Sequence, residues 1–335
     1  MPAIVPAAAR PLLARVVQGA LVVALVASVV FVLVRLAPGD PFAASLDDPA
    51  LAADVRARWR AAYGLDGPIG AQYVRWLGAL ARGDLGWSTS RQAPVARVLA
   101  DALPWTLLLG GVAFVLAFGG GMAIGAWQAR RRDGAGDRAL TALGSLTTAM
   151  PDFWLALVLL LAFAWRWPVL PVGGARDPLL AEGATALTRA LDVARHLVLP
   201  AATLALTLVG AIARLQRSAA LDQARAEWVR TARAKGVAGG ALWRRHVWRT
   251  ALLPLVTLGG LALPALLGAS VFVEHVFAWP GLGGVVAAAI AARDYHLVTG
   301  CALLGTTLTV LGAALADGVA VRLDPRVRDA RAATA

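Results

Sequence analysis

Lysine is nearly missing from this chain: Lys235 is the only one in 335 residues, and it stands in Arg-Ala-Lys-Gly rather than in GxxxxGK[ST]. A P-loop needs its lysine on the nucleotide phosphates, so the chain cannot hold ATP by that device. Cysteine is equally scarce. Cys301 stands alone, which excludes a disulfide framework, a cysteine-rich zinc site and a CxxC redox pair. The four histidines, His196, His246, His275 and His296, are far apart and form no HExxH, so they read as interfacial or loop side chains rather than metal ligands. No metal site and no cofactor is expected. Charge is thin as well, at 16% of residues against about 25% in soluble domains. With 59% hydrophobic residues the chain has too few polar groups to cover a soluble surface, and lipid is the better solvent. The net charge of +12 would suggest nucleic acid in a soluble protein. In a membrane protein basic residues mark the cytoplasmic side instead.

Crossing the hydrocarbon core takes about 20 apolar residues as a helix, since only helices and closed barrels satisfy every backbone group in lipid. Six runs qualify: Val16–Ala37, Leu103–Trp127, Leu143–Trp165, Leu197–Ala213, Leu252–Val273 and Leu297–Val321. The expected fold is an all-α integral membrane protein of about six transmembrane helices. The first run follows Arg10 and Arg15 but exceeds the 7–15 residues of a signal peptide's apolar core and leads to no small-residue cleavage site, so it reads as a retained helix. Six spans put both ends on one side. If that side is cytoplasmic, the inner segments hold Arg10 and Arg15, Arg130, Arg131, Arg132 and Arg138, nine cations from Arg214 to Arg249, and Arg322, Arg326, Arg328 and Arg331. Short outer loops hold only Arg166, Arg176, Arg189, Arg195 and Arg293. The bias favours both termini inside. Nucleic acid becomes an unnecessary partner.

The outer segment Pro38–Ala102 carries apolar residues at near-helical spacing, first Leu51, Val55, Trp59 and Ala62, then Ile69, Tyr73, Trp76, Leu77 and Leu80. Such faces suit interfacial helices, or equally packing against outer helix ends. Gly83-Asp-Leu-Gly86 ends the second of them. Arg35, Asp152, Arg214, Glu274 and Asp317 fall near expected helix ends, where they cap, pair or reach the interface. No carboxylate sits mid-helix, which argues against ion coupling. Gly119-Gly-Gly121, Gly259-Gly260, Ala262 and Ala265 permit close helix approach. Pro264 either breaks the fifth helix or only kinks it.

The longest inner connection, residues 214–251, is polar, basic and helix-prone. Gly236 is expected to end one helix in the left-handed conformation, a second short helix follows, and Pro254 marks re-entry into the bilayer. Helix, glycine break, helix makes an elbow suited to a groove on a partner.

The segment Trp228-Val-Arg-Thr-Ala-Arg-Ala-Lys-Gly236 resembles the cytoplasmic EAA loop of ABC-type importer permeases, specifically the dipeptide/oligopeptide/nickel permease family. The resemblance runs almost end to end. Leu36-Ala-Pro-Gly-Asp-Pro41, Tyr63-Gly-Leu-Asp66, Gln72-Tyr-Val-Arg-Trp-Leu77 and Gly83-Asp-Leu-Gly86 come first. Met150-Pro-Asp-Phe-Trp154 is similar to the opening of helix three and His196-Leu-Val-Leu-Pro200 to that of helix four. Phe272-Val-Glu-His-Val-Phe-Ala-Trp-Pro-Gly-Leu-Gly283, Arg293-Asp-Tyr295 and Leu323-Asp-Pro-Arg326 complete the order. There are departures: Arg230-Thr-Ala232 replaces Glu-Ala-Ala, Asp152 replaces a small hydroxyl residue, and His275 replaces threonine.

The resemblance implies a type I ABC importer permease fold in a bacterial inner membrane, multi-pass, both termini cytoplasmic. The implied organisation is an N-terminal helix with extracytoplasmic segment over 1–97, a permease core over 98–321 containing the coupling loop 214–251, and a tail over 322–335. The implied partners are a second homologous permease, two ABC ATPases, an extracytoplasmic solute-binding protein and membrane lipid. The chain itself would catalyse nothing. The docking residues it implies are Arg230, Thr231, Ala232, Lys235, Gly236, Val237, Ala241, Leu242 and Arg245. The basic members also read as positive-inside topology, and Gly236 as a helix cap. The competing function is an ion-coupled secondary transporter or channel. That would need charges inside the bilayer and no docking elbow.

Overall fold

The computed structural model describes residues 10–36, 68–180 and 183–323. In chain order its helices begin with α1 (Arg10–Leu36), α2 (Ile69–Ala81), α3 (Val95–Arg130), α4 (Ala135–Ala149) and α5 (Asp152–Leu160). A π-helical stretch, Leu161–Arg166, prolongs α5. There follow α6 (Ala186–Ala224), α7 (Glu227–Ala234), α8 (Gly239–Leu242), α9 (Leu253–Val276), α10 (Leu282–Ala291) and α11 (Tyr295–Leu323). Between α8 and α9 lie a second π-helical stretch, Trp243–Trp248, and the short helix Arg249–Ala251. The only strands among the described residues form a two-stranded antiparallel ladder, β1 (Trp87–Ser88) on β2 (Ala93–Pro94).

Four of these helices are long and apolar enough to cross a membrane: α1 through Arg15–Val34, α3, α6, and α11 through Tyr295–Leu315. A fifth crossing requires counting α4 and α5 together, and that pair is bent by 109°. The expected straight run Leu143–Trp165 is therefore broken. Pro151 has no N–H to continue α4, and its ring drives Met150 out of the helical region, to φ −79 and ψ 136. The fifth expected run is occupied by α9, which continues through Pro264 without the break considered there. The segment bearing Leu51, Val55, Trp59, Ala62 and Tyr63–Asp66, the residues after Leu36 in its motif, and the tail beyond Leu323 lie outside the described residues. So do the side chains of Arg35, Pro264, Ala265 and Asp317.

The chain falls into two compact units, Met1–Pro104 with Gly284–Val310, and Trp105–Gly283 with Leu311–Ala335. These cut across the linear division at 97 and 321.

In the first unit, the face of α2 that carries Tyr73 and Trp76 packs on Phe31 of α1, with ring centroids 5.2 and 5.3 Å away. The Tyr73 hydroxyl shares a 2.6 Å hydrogen bond with Ser28. Gly83 ends α2 at φ +79, as its place in the sequence predicts. Asp294, between α10 and α11, fastens the β1–β2 turn: its carboxylate accepts the Ser88 hydroxyl at 2.6 Å and the Ser90 amide and hydroxyl at 2.9 and 2.7 Å. The Leu297 N–H adds a bond at 3.2 Å. Gly86 passes under the His296 ring, where a Cβ would lie 2.7 Å from Cδ2. Two motifs some 200 residues apart, Gly83–Gly86 and Arg293–Tyr295, thus meet in one structure.

Burial acts to raise the Asp294 pKa, but the bonds from Ser88, Ser90 and Leu297 outweigh it and hold the carboxyl below the ordinary range. A depressed folded pKa contributes stability above the unfolded value of about 3.9, and that stability is lost as pH falls through the folded value. The turn is therefore expected to stay fastened at pH 5 and to loosen only below about pH 4. Hydrogen exchange across residues 87–94 should show this onset, and Asp294→Asn should exchange faster already at neutral pH.

The second unit is organised along α6. Thr185 caps it, its hydroxyl accepting the Thr188 N–H at 3.2 Å. The helix runs 39 residues, far past the expected Leu197–Ala213, because a hydropathy window stops where charge begins whereas helical hydrogen bonding does not. His196 and Pro200 accordingly sit inside α6 rather than at its opening. Leu109 and Ala113 of α3, Ala156 of α5, Leu204 of α6 and Val273 of α9 share one core with Phe277 and Trp279. Close approach falls partly where expected. A Cβ on Gly121 would meet Ile212 at 2.6 Å and one on Gly259 the Phe118 ring at 3.3 Å, but Gly119 faces open space. The tightest approach, Gly144 of α4 on Gly210 of α6, was not among the expected positions.

Candidate functional site

At the end of α6 the sequence becomes polar and the chain builds the elbow. α7 has only 8 residues, too few to be stable alone. It persists because Val229 and Ala232, three apart on one face, bury against Ala220 of α6 and Ala129 of α3 together with Leu242, Val247 and Ala251. Burying a valine such as Val229 contributes on the order of 1.5–3 kcal/mol.

Gly236 has φ +82 and closes α7. Its N–H bonds the Arg233 carbonyl at 3.0 Å, and the Val237 N–H bonds the Ala232 carbonyl at 3.2 Å. That pair of bonds defines a Schellman cap, with Val237 packed beside Ala232 as the usual apolar companion. The chain then turns into α8, whose first bond is Leu242 N–H to the Ala238 carbonyl at 2.8 Å.

A polar brace fixes the end of α6 on which the elbow stands. Arg217 grips Asp137 of α4 with two bonds, Nε to Oδ1 at 3.0 Å and Nη2 to Oδ2 at 2.7 Å. Gln128 of α3 donates to Asp137 Oδ1 and to its carbonyl, each at 3.1 Å, and the Asp133 N–H donates to Oδ2 at 2.9 Å. About two turns further along α4, Ser145 accepts a bond from Arg214 of α6 at 3.3 Å. A buried carboxylate with a bidentate arginine is a strong, directional tie. Arg130 adds a cation–π contact over Trp243, 5.1 Å from the ring centroid.

The nine expected docking residues divide by burial. Ala232 and Leu242 belong to the elbow's own core, so they support its shape and offer no outward contact. Val237 and Ala241 are half-buried. Arg230, Thr231, Lys235, Gly236 and Arg245 are exposed, as are Arg233, Arg244 and Arg249 beside them. Glu227 lies 3.7 Å from Arg230 with both side chains largely in solvent, a pair that contributes little. Apart from Glu227, the charges on the exposed side of the elbow are thus all cationic. Trp228 is half-exposed at its margin and adds a large aromatic anchor. It stood in the quoted motif, but helical spacing from the buried Val229 and Ala232 is what assigns it outward. Residues 214–224 of the coupling loop are the tail of α6, which leaves the elbow proper at residues 227–251.

Comparison with known proteins gives one answer along the whole chain. Residues 121–329 match the family described as binding-protein-dependent transport system inner membrane component, and residues 9–110 match that family's N-terminal membrane component. An oligopeptide transport system permease protein of Bacillus subtilis is 35% identical over 298 residues, 89% of this chain and 92% of its own. A putative peptide transport system permease protein of Brucella abortus is 36% identical over 317 residues, 95% of this chain and 98% of its own. A di/tripeptide transport system permease protein of Pseudomonas aeruginosa is 34% identical over 313 residues, 90% and 93% respectively. With apolar spans, the elbow and these matches in agreement, the chain belongs to the family of inner membrane components of binding-protein-dependent transport systems, with the type I ABC importer permease fold.

Proposed function

We propose that this chain is a permease subunit of an ATP-driven peptide importer and that the elbow at residues 227–251 is where partner ATPases dock. The observation that carries the reading is the elbow's construction. Val229, Ala232, Leu242 and Val247 face inward, the cap fixes the bend, and the outward side presents Arg230, Arg233, Lys235, Arg244 and Arg245. A rigid, pre-ordered projection loses little entropy on docking, and its charge favours a groove with acidic edges. It leads directly into α9, so a push on the elbow reaches a helix that enters the bundle core. A second homologous permease completes the path, and an extracytoplasmic binding protein delivers the solute. Both termini and the elbow lie on the cytoplasmic side, in keeping with the distribution of arginine. This chain contributes no catalysis; hydrolysis belongs to the ATPases. The relatives' names support peptides as the solute.

The test is transport by the assembled complex in liposomes. Gly236→Pro removes the N–H bonded to Arg233 and imposes φ near −65° on a residue at +82, so peptide uptake should fall at least tenfold. Gly236→Ala meets nothing within 4 Å and bears only a left-handed backbone cost of about 1–2 kcal/mol, so it should keep most of its uptake. Undiminished ATP-driven uptake by Gly236→Pro would sink the docking assignment.

A further inference from the structure

The end of α9 remote from the elbow holds a second construction. Glu274 is wholly buried there, about 32 Å along the helix axis at 1.5 Å per residue from where α9 starts. Its carboxylate accepts the Thr106 hydroxyl of α3 at 2.8 Å, the Ser270 hydroxyl at 3.0 Å and the Gly283 N–H at 2.6 Å. The Thr106 oxygen in turn accepts the Leu282 N–H at 2.8 Å. The two chain segments brought together this way have no room for side chains: a Cβ on Gly281 would lie 2.5 Å from Glu274 Oε2 and from Thr106 Oγ1, and one on Gly283 would lie 2.8 Å from Oε2.

The turn between Glu274 and Gly283 is held at further points. Trp279 is buried, its indole N–H donates to the Trp105 carbonyl at 3.0 Å, and the two rings meet edge to face at 5.5 Å. Arg176 lies over the Trp105 ring at 5.3 Å, and the Gly174 N–H bonds the Phe277 carbonyl at 2.8 Å. Ala278 takes φ +47, a backbone cost these contacts sustain.

We propose that Glu274 is a positioning residue for translocation: through Thr106, Ser270 and Gly283 it bolts the far end of α9, the 277–283 turn and the start of α3's second-unit segment into one block. When the elbow is driven, that block moves whole. A buried carboxylate satisfied from three elements is costly to open, since each lost bond strands a desolvated oxygen. α9 therefore works as a lever with the elbow at one end and a fixed head at the other. The inference rests on the reading of this chain as an ATP-driven permease.

The experiment measures solute transported per ATP hydrolysed by the assembled complex in liposomes. Glu274→Gln keeps the shape but leaves one acceptor oxygen, which cannot take both the Gly283 N–H and the two hydroxyls in their present places, and Thr106→Val removes both hydroxyl bonds. Each is expected to lower the ratio at least tenfold while ATP hydrolysis persists. Thr106→Ser keeps the hydroxyl and should keep the ratio. A wild-type ratio in Glu274→Gln and Thr106→Val, whatever their yield or thermal midpoint, overturns the proposal, as does loss of assembly in both, which would assign the cluster to folding alone. Should Glu274→Gln alone fail to assemble, Thr106→Val decides. A wild-type complex that moves solute without hydrolysing ATP overturns the functional reading and this inference with it.

Discussion

Arg217→Met is expected to destabilise the protein by about 3–5 kcal/mol, and Asp137→Asn by only about 1–2 kcal/mol. The asymmetry follows from where each charge is left. The Asp137 side chain is 4% exposed and the Arg217 side chain 28%. Without Arg217, a carboxylate remains in the interior with only the Gln128 amide and the Asp133 N–H to hold it. Without the Asp137 charge, Arg217 can turn toward water. The double variant should recover much of the loss, since a buried pair removed together strands nothing. Unfolding free energies of the four proteins in a lipid-like medium, arranged as a double-mutant cycle, give the coupling directly. Equal losses in the two single variants would show that the carboxylate has other access to solvent.

Gly210→Val should be nearly as damaging, at about 3 kcal/mol or more. A Cβ on Gly210 falls on the carbonyl oxygen of Gly144, and one on Gly144 would lie 2.9 Å from the Gly210 Cα. These are backbone atoms, which cannot swing aside as a side chain can, so α4 and α6 must separate. Separation at this level also stretches the Arg214–Ser145 and Arg217–Asp137 bonds further along the same antiparallel pair. The damage should therefore exceed ordinary overpacking. Gly119→Val is the matched control, because a Cβ there meets nothing within 4 Å and the position is exposed. Folded yield and thermal midpoint of the two variants, side by side, check the contrast. Similar values for both would show that α4 and α6 are not in close contact.

Much of the architecture was legible because lipid leaves few choices. An apolar run such as that in α1 must be helical, and Gly236 and Gly83 announce helix ends whose left-handed angles the structure then supplies. The sequence tags alone led to the family. What stayed hidden has three physical sources. Hydropathy windows register solvent preference rather than hydrogen bonding, so they stop short of the polar extensions of α6. The proline rule at Met150-Pro151 was available, but the apolar run on both sides masked it. Long-range polar pairing has no local trace: Asp137 and Arg217 are 80 residues apart, and Thr106 and Glu274 are 168 apart. Glu274 could be read only as a residue near a helix end, although the glycines at 281 and 283 are the complement of its carboxylate. In the elbow the spacing of Val229 and Ala232 separates inward from outward residues, and a motif quoted as a string does not.

The docking proposed at residues 227–251 requires motion to enter this bundle from another protein. Its most direct measurement is peptide uptake into liposomes holding the purified chain with its homologous permease, with and without the ATPases and ATP. No uptake is expected until both ATPases and nucleotide are present, and uptake should again disappear with Gly236→Pro. Accumulation of peptide by the membrane subunits alone, with no nucleotide in the system, would contradict the proposed docking.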